Sequence, residues 1–174
     1  MELLSLRRRD LIGDIERVIQ ALLNNVFSDS LSDRSKHDAA RGTTTLTLVL
    51  WDDPVVIGHL AVFERLVDIG AEPLSVGMIG GVAIEPNHRM RGYARYLIQE
   101  AHSYLRNKSI PFSILFAYEP RVYQSSGYRL MENEIRFLDC DDHWKTFVYR
   151  GSMYAELMGR RWPNEQIDLR GRVV

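Results

Sequence analysis

The chain has 174 residues, 45% of them hydrophobic and 26% charged, the make-up of one globular domain that buries about 70% of its unfolded surface. Its 22 basic and 23 acidic side chains leave a formal net charge of -1, which excludes the strongly basic composition of a protein that coats nucleic acid. The single cysteine, Cys140, excludes an internal disulfide framework and a multi-cysteine zinc site.

Neither end reads as an address. Leu3, Leu4 and Leu6 precede Arg7, Arg8 and Arg9, the reverse of a secretory signal, and no apolar run reaches the ~20 residues that span a bilayer. A cytoplasmic protein of one domain, residues 1–174, is expected, with no membrane and no nucleic-acid partner. A homodimer is compatible with the sequence.

In chain order, Glu2 to Arg9 alternates loosely, as an edge strand does. From Asp10, a candidate N-cap, the residues Leu11, Ile15, Val18 and Leu22, with Ile12, Ile19 and Val26, fall on one helical stripe. Residues 28 to 42 are polar and charged, a second short helix or an ordered loop that Gly42 would end. Thr43 to Trp51 is β-rich, Asp52-Asp53-Pro54 is a turn, and Val55 to Val67 returns as a strand. After a turn at Gly70 to Pro73, Val76 to Ile84 is almost wholly apolar or glycine, which suits a central strand buried on both faces. Gly80 and Gly81 inside it mark a bulge or a close backbone approach. Ala94, Leu97, Ile98, Ala101 and Leu105 keep helical spacing between about Met90 and Asn107, and Phe112 to Tyr118 is another buried strand. A short helix over Pro120 to Ser126 precedes closing strands at Tyr128 to Leu138 and Lys145 to Arg150. The order describes a mixed α/β domain on one sheet.

The most informative stretch runs from Val82-Ala83-Ile84 through Pro86 to Arg89-Met90-Arg91-Gly92-Tyr93-Ala94. A buried strand ends at a proline, and a basic turn leads into a helix through small residues. Free N–H groups at a helix N-terminus favour an anion, and small residues let a phosphate approach the backbone. Arg89 and Arg91 supply fixed charge, so no metal is required. The Walker pattern fails because Tyr93-Ala94 follows Gly92, and the dinucleotide fingerprint fails for want of two glycines.

Arg89-Met90-Arg91-Gly92-Tyr93-Ala94 resembles the acetyl-CoA loop, Arg/Gln-x-x-Gly-x-Gly/Ala, of the GCN5-related N-acetyltransferases (GNAT). Tyr123-Gln124-Ser125-Ser126-Gly127-Tyr128 resembles that family's Tyr-x-x-x-Gly-Phe/Tyr motif, in the right order about 30 residues on. The resemblance implies an acyl-CoA N-acyltransferase fold, a central mixed and largely antiparallel sheet flanked by helices. It implies acetyl-CoA as acyl donor and direct transfer to a primary amine, of a small molecule on this reading. It also implies that Val82, Ala83 and Ile84 receive the pantetheine arm and that backbone amides of Arg89, Met90, Arg91, Gly92, Tyr93 and Ala94 hold the pyrophosphate. Tyr123 would protonate the departing thiolate.

The general base is not singled out by the residues. Family members often place an acid or histidine on the central strand, and Val76 to Val82 has none. His59, Glu64, Glu85, His88 and Glu119 remain; Glu119, at the end of a buried strand, is taken as the catalytic candidate, and His59 reads as a structural residue. Cys140 sits among Asp139, Asp141 and Asp142, a setting that suppresses thiolate formation. The tail from Trp162 to Gly171 is loosely similar to the branch with nodulation protein A and the aminoglycoside 2'-N-acetyltransferases. That branch would put Trp162, Asp168 and Tyr154 in an amino-sugar pocket; the alternative is a terminal strand packing its tryptophan on the sheet. Other readings left open are an acetyl-CoA sensor without catalysis, a protein amine as acceptor, and a longer acyl donor.

Overall fold

The computed structural model describes residues 1–27, 44–139 and 141–173. The long apolar strands organise it. β2 (Leu46–Asp52), β3 (Val55–Ile69) and β4 (Glu72–Ile84) form an antiparallel meander, with β1 (Glu2–Leu6) on the outer edge of β2. The tight turns at Asp53-Pro54 and Gly70-Ala71 follow the turn chemistry of the sequence, and β4 starts at Glu72, earlier than its apolar run suggests. β5 (Phe112–Phe116) lies parallel to β4, and β9 (Ser152–Glu156) and β6 (Arg129–Leu130) follow antiparallel. At the other end of the long β3, β10 (Ile167–Arg172) pairs antiparallel and carries β7 (Ile135–Leu138) and β8 (Trp144–Phe147) beyond it. The described residues thus form one mixed, largely antiparallel sheet of ten strands.

One helix covers each face of its first half. α1 (Asp14–Val26) buries Ile19, Leu22 and Leu23 against Val49, Val56 and Ala83. α2 (Tyr93–Asn107) buries Leu97, Ile98, Ala101 and Leu105 against Leu48, Leu50, Leu60 and Val62 on the opposite face. The absent side chain of Gly77 permits this approach: a Cβ there would lie 2.3 Å from Leu105 Cδ1. A third cluster, centred on Phe63, Met78, Phe112, Ile114 and Trp162, continues the α1 face toward β10 and β7.

Several expectations are corrected. Asp10 does not cap α1: its carboxylate accepts from Arg7 N at 2.9 Å and closes a 3-10 turn, and Gly13, at φ 62°, turns the chain into the helix. Ile12 therefore falls before the helix and is exposed, whereas Leu23 joins the buried stripe. α2 begins at Tyr93 rather than Met90 because Met90 and Gly92 take positive φ. The span Tyr128 to Leu138 is two short strands, and the second closing strand ends at Phe147 rather than Arg150. The helix after Pro120 shortens to α3 (Arg121–Gln124). The segment 28 to 42 and Cys140 lie outside the described residues.

Candidate functional site

At the end of β4, Glu85 N donates to Ile57 O at 3.0 Å and the chain enters a 3-10 turn over Pro86–His88. The Glu85 carboxylate fixes this turn: it accepts from Asn87 N at 2.8 Å and from His88 Nδ1 at 2.7 Å. Its pKa is held below the usual carboxylate value, chiefly by the His88 hydrogen bond. The Glu85 carboxylate and His88 Nδ1 thus hold the turn together. Arg89 Nε then donates to Ile84 O at 3.2 Å, and the chain passes through two left-handed residues, Met90 (φ 62°) and Gly92 (φ 82°). No side chain caps α2, whose first intrahelical bond runs from Tyr96 N to Gly92 O at 3.0 Å. The N–H groups of residues 90 to 95 are therefore without a backbone partner among the described residues. Alternation of left- and right-handed residues ahead of a helix turns such groups into one concave nest, and the helix dipole adds to its positive potential. Arg89, Met90, Arg91 and Gly92 are exposed around it; Tyr93 and Ala94 are half-buried and pack on the α2-side core.

The same strand opens a cleft. β4 and β5 pair only from Val76 with Phe112 to Ile79 with Leu115. Past Ile79, the edge of β4 that faces β5 has no strand partner. The cause lies on both strands. On β4, His59 pairs with Ala83 but Ala61 pairs with Gly80, so two residues of β4 oppose Leu60 alone. Gly81 takes the left-handed position of this bulge, φ 58°, which bends and twists the strand. His59 is buried and its Nδ1–H donates to Gly81 O at 2.7 Å, which makes it a brace of the bulge, as a structural histidine would be. On β5, Ala117 N donates to Gly151 O at 2.8 Å and draws that chain toward β9. Gly151 has to be glycine here, since a Cβ would lie 1.9 Å from Ala117 O. Val82 is half-buried and Ala83 and Ile84 are buried, so their side chains anchor the strand while its backbone lines the cleft.

Beyond β5, Tyr118 and Glu119 are exposed and α3 follows. Tyr123, at the inner side of this helix, is half-buried and its hydroxyl pKa is raised by burial. Its ring meets Tyr128 edge to face at 6.2 Å. Tyr128 is buried within a polar network that the sequence did not announce. Ser113 Oγ lies 2.5 Å from its hydroxyl, and His102 Nε2 lies 3.1 Å away. The imidazole is neutral, its pKa pushed down to about 4 by burial and then by Arg106; Ser113 can thus donate to Tyr128, and Tyr128 to His102. The only hint was a histidine on the apolar stripe of α2.

The remaining candidates are engaged elsewhere. Glu64 accepts from the Tyr104 hydroxyl at 2.5 Å. Trp162 is buried, stacked on Tyr154 at 4.9 Å and edge-on to Phe112 at 5.0 Å, and Asp168 forms an ion pair with Arg136. The tail thus packs its tryptophan on the sheet. A surface hollow lined by Gly70, Glu72, Arg160 and Glu165 lies at the opposite end of β4 from the loop. Among the described residues no group of three His, Cys, Asp or Glu could hold a metal, and no helix is long and apolar enough to cross a membrane.

The family model of the acetyltransferase (GNAT) domain matches residues 10–131. The chain belongs to this family. The loop, the bulged β4 and the cleft all lie within the matched span. Solved structures share the fold. A GNAT family acetyltransferase from Brucella melitensis in complex with acetyl-CoA superposes with a TM-score of 0.66 at 19% identity, over 95% of this chain and 93% of that one. The GNAT family N-acetyltransferase YhbS from Escherichia coli in complex with CoA gives 0.66 at 22% identity, over 96% and 89%. Against a GCN5-related N-acetyltransferase from Anabaena variabilis the TM-score is 0.59 at 21% identity, over 76% of this chain and 33% of that one. The chain thus spans about a third of the length of some structures it matches and nearly all of others.

Proposed function

We propose that residues 1–174 act as one domain that moves the acetyl group of acetyl-CoA to the primary amine of a small molecule, with both substrates bound together. The observation that carries this reading is a line of two unpartnered backbone stretches among the described residues, the open edge of β4 after Ile79 and the N–H groups of residues 90 to 95 around Met90 and Gly92, joined by the internally bonded turn from Glu85 to Arg89. Such a line fits a ligand with an amide-bearing arm at one end and a pyrophosphate at the other. Backbone groups of Val82, Ala83 and Ile84 pair with the arm as an added strand would. N–H groups from Met90 to Ala94 hold the pyrophosphate, with the side chains of Arg89 and Arg91 at its rim; the Arg89 N–H, expected to join them, is taken by Pro86 O at 3.3 Å. Bound acetyl-CoA supplies an activated acyl group, its thioester.

The chain's part in the chemistry is orientation and proton movement. A backbone N–H of β4 polarises the acyl carbonyl, a fixed dipole that needs no reorganisation. Tyr123 holds its proton through the neutral range, because burial raises its pKa, and gives it to the leaving thiolate. Glu119, at the open end of β5, takes the proton of the acceptor ammonium, directly or through water. The Glu85–His88 pair holds the turn ahead of the loop and the His59 ring braces the bulge, so Glu119 is preferred for that role. A site that draws on acetyl-CoA suits the cytoplasm.

The test is calorimetry with acetyl-CoA followed by release of free thiol on adding a panel of amines. Saturable binding and amine-dependent thiol release are expected. Binding of ATP in preference to acetyl-CoA, or thiol release that no amine accelerates, would overturn the proposal.

A further inference from the structure

The side of the cleft that faces away from α2 is lined by rings. Phe116 is the last residue of β5, and on its face of the sheet stand Phe63 and Met78. The Phe63 ring covers Gly80, with Cε2 3.2 Å from where a Cβ would be. From Phe116 the rings continue outward in contact. Tyr149 lies 6.2 Å from it, Phe147 lies 6.1 Å from Tyr149, and Phe137 lies 5.1 Å from Phe147, the last two pairs edge to face. Strand pairing explains the alignment: Ile135 opposes Phe147 on adjacent antiparallel strands, so Phe137 and Phe147 are diagonal neighbours on one face. The array is not sealed. Phe147 is 43% exposed and Tyr118, next but one to Phe116, is 86% exposed.

An apolar array that is exposed and begins where two strands separate has a use at that separation. The carboxylate nearest the array in strand order is Asp139, and it is committed: Lys145 lies 2.6 Å away, and it accepts from the backbone of Asp141 and His143. The Glu119 carboxylate, exposed just past the end of β5, accepts no hydrogen bond among the described residues. A polycationic amino sugar needs several carboxylates to replace its water; this wall offers rings and one acid.

We propose that the acceptor is a primary amine carried on an aromatic body, which packs against Phe147, Tyr149 and Phe116 while its ammonium points to the mouth of the cleft. The inference deepens the acetyl-transfer reading and rests on it. One edge-to-face contact is lost with each ring removed, and such pairs are worth about three- to tenfold in binding. The reaction is the amide-forming one already described: the amine nitrogen bonds to the acyl carbon, the carbon–sulfur bond breaks, and the thiolate takes a proton.

The full chain is assayed by thiol release from acetyl-CoA with 2-phenylethylamine, n-hexylamine, glucosamine and a lysine peptide. The expected order puts kcat/KM for 2-phenylethylamine at least about tenfold above the others. Phe147→Ala is expected to raise KM for 2-phenylethylamine about tenfold, with kcat and acetyl-CoA affinity unchanged, and Phe147→Trp to restore it. Because Phe147 is on an exposed edge strand, the variant should fold; an unchanged unfolding midpoint checks this, and Tyr149→Leu serves if it does not. Preference for glucosamine or the peptide, or equal rates with n-hexylamine, overturns the aromatic acceptor alone, whereas no turnover of any amine, or failure to bind acetyl-CoA, overturns the acetyl-transfer reading with it.

Discussion

Gly92 separates affinity from stability, because its surroundings are open and its backbone is not ordinary. Its φ is 82°, and a Cβ built on it would meet nothing within 4 Å. A side chain there costs only the left-handed conformation, which Asn and Asp tolerate for roughly 1 kcal/mol. For a chain of this size such a loss lowers Tm by about 2–4 °C. The added carboxylate of Gly92→Asp points into the space over the nest. At about 5 Å from a bound phosphate and an effective dielectric near 20, the repulsion is roughly 3 kcal/mol, a factor of about a hundred in Kd. Gly92→Asn has the same shape and backbone preference without the charge. Calorimetric titration with acetyl-CoA should thus show about a hundredfold weakening for Gly92→Asp and much less for Gly92→Asn, with both variants melting together. Salt should narrow the gap between them. An acetyl-CoA affinity in Gly92→Asp within about threefold of the parent would refute the pyrophosphate placement, since no charge–charge term of this size could then be present.

Three further perturbations test other parts of the argument. Tyr123→Phe should lower kcat by about a hundredfold while leaving acetyl-CoA affinity unchanged; because burial raises the Tyr123 pKa, an alkaline fall in rate below pH 9 would have to belong to another group. His102 has its folded pKa pushed down to about 4, below the unfolded value of about 6.5, so the unfolded chain binds more protons between those limits. Stability from the neutral imidazole is fully present above about pH 6.5 and is lost as pH falls toward 4, by up to roughly 3 kcal/mol; urea midpoints of the parent and His102→Gln at pH 7 and 4.5 should show the variant losing less. Gly77→Ala, whose Cβ would overlap Leu105 Cδ1, should destabilise by about 1–3 kcal/mol, and on a Leu105→Ala background the same change should be near neutral. Additive costs in that double-mutant cycle would show that the two residues are not in contact.

The donor half of the site was legible because it depends on local backbone chemistry. A glycine pair inside an apolar run can only be a bulge or a close approach, and the structure makes Gly80-Gly81 the bulge. A proline, a basic turn and Gly92 ahead of a helical stripe describe a strand, a left-handed turn and a bare helix start within one stretch of chain. Where the sequence reading failed, distant partners decided the outcome. β9 is a short run just after a glycine, and only its pairing with β5, about 40 positions earlier, makes Met153 and Ala155 core residues. Asp10 has the chemistry of an N-cap, but Arg7 N claims its carboxylate first. His102, Tyr128 and Ser113 come from α2, the end of the α3 turn and β5; no spacing connects them.

This division also bears on the general base. The donor site is built from main chain, which a mobile cosubstrate common to many reactions can use without a specific side chain. On the proposed reading the acceptor side is built from side chains of β5, β7, β8 and the segment after it, and it would carry the specificity of this chain. An acid on β4 would have to stand on the bulge, where Gly81 is left-handed and the Phe63 ring occupies the space over Gly80. A carboxylate at either position would displace the features that open the cleft. The proposed base is therefore sought at the rim, where Glu119 is the exposed carboxylate just past the end of β5. Glu119→Gln should accordingly leave acetyl-CoA binding intact and lower the rate most at acidic to neutral pH, where the acceptor is an ammonium. At high pH, with the amine already neutral, the parent and variant rates should converge. A constant ratio of the two rates across pH 6 to 10 would remove Glu119 from proton transfer.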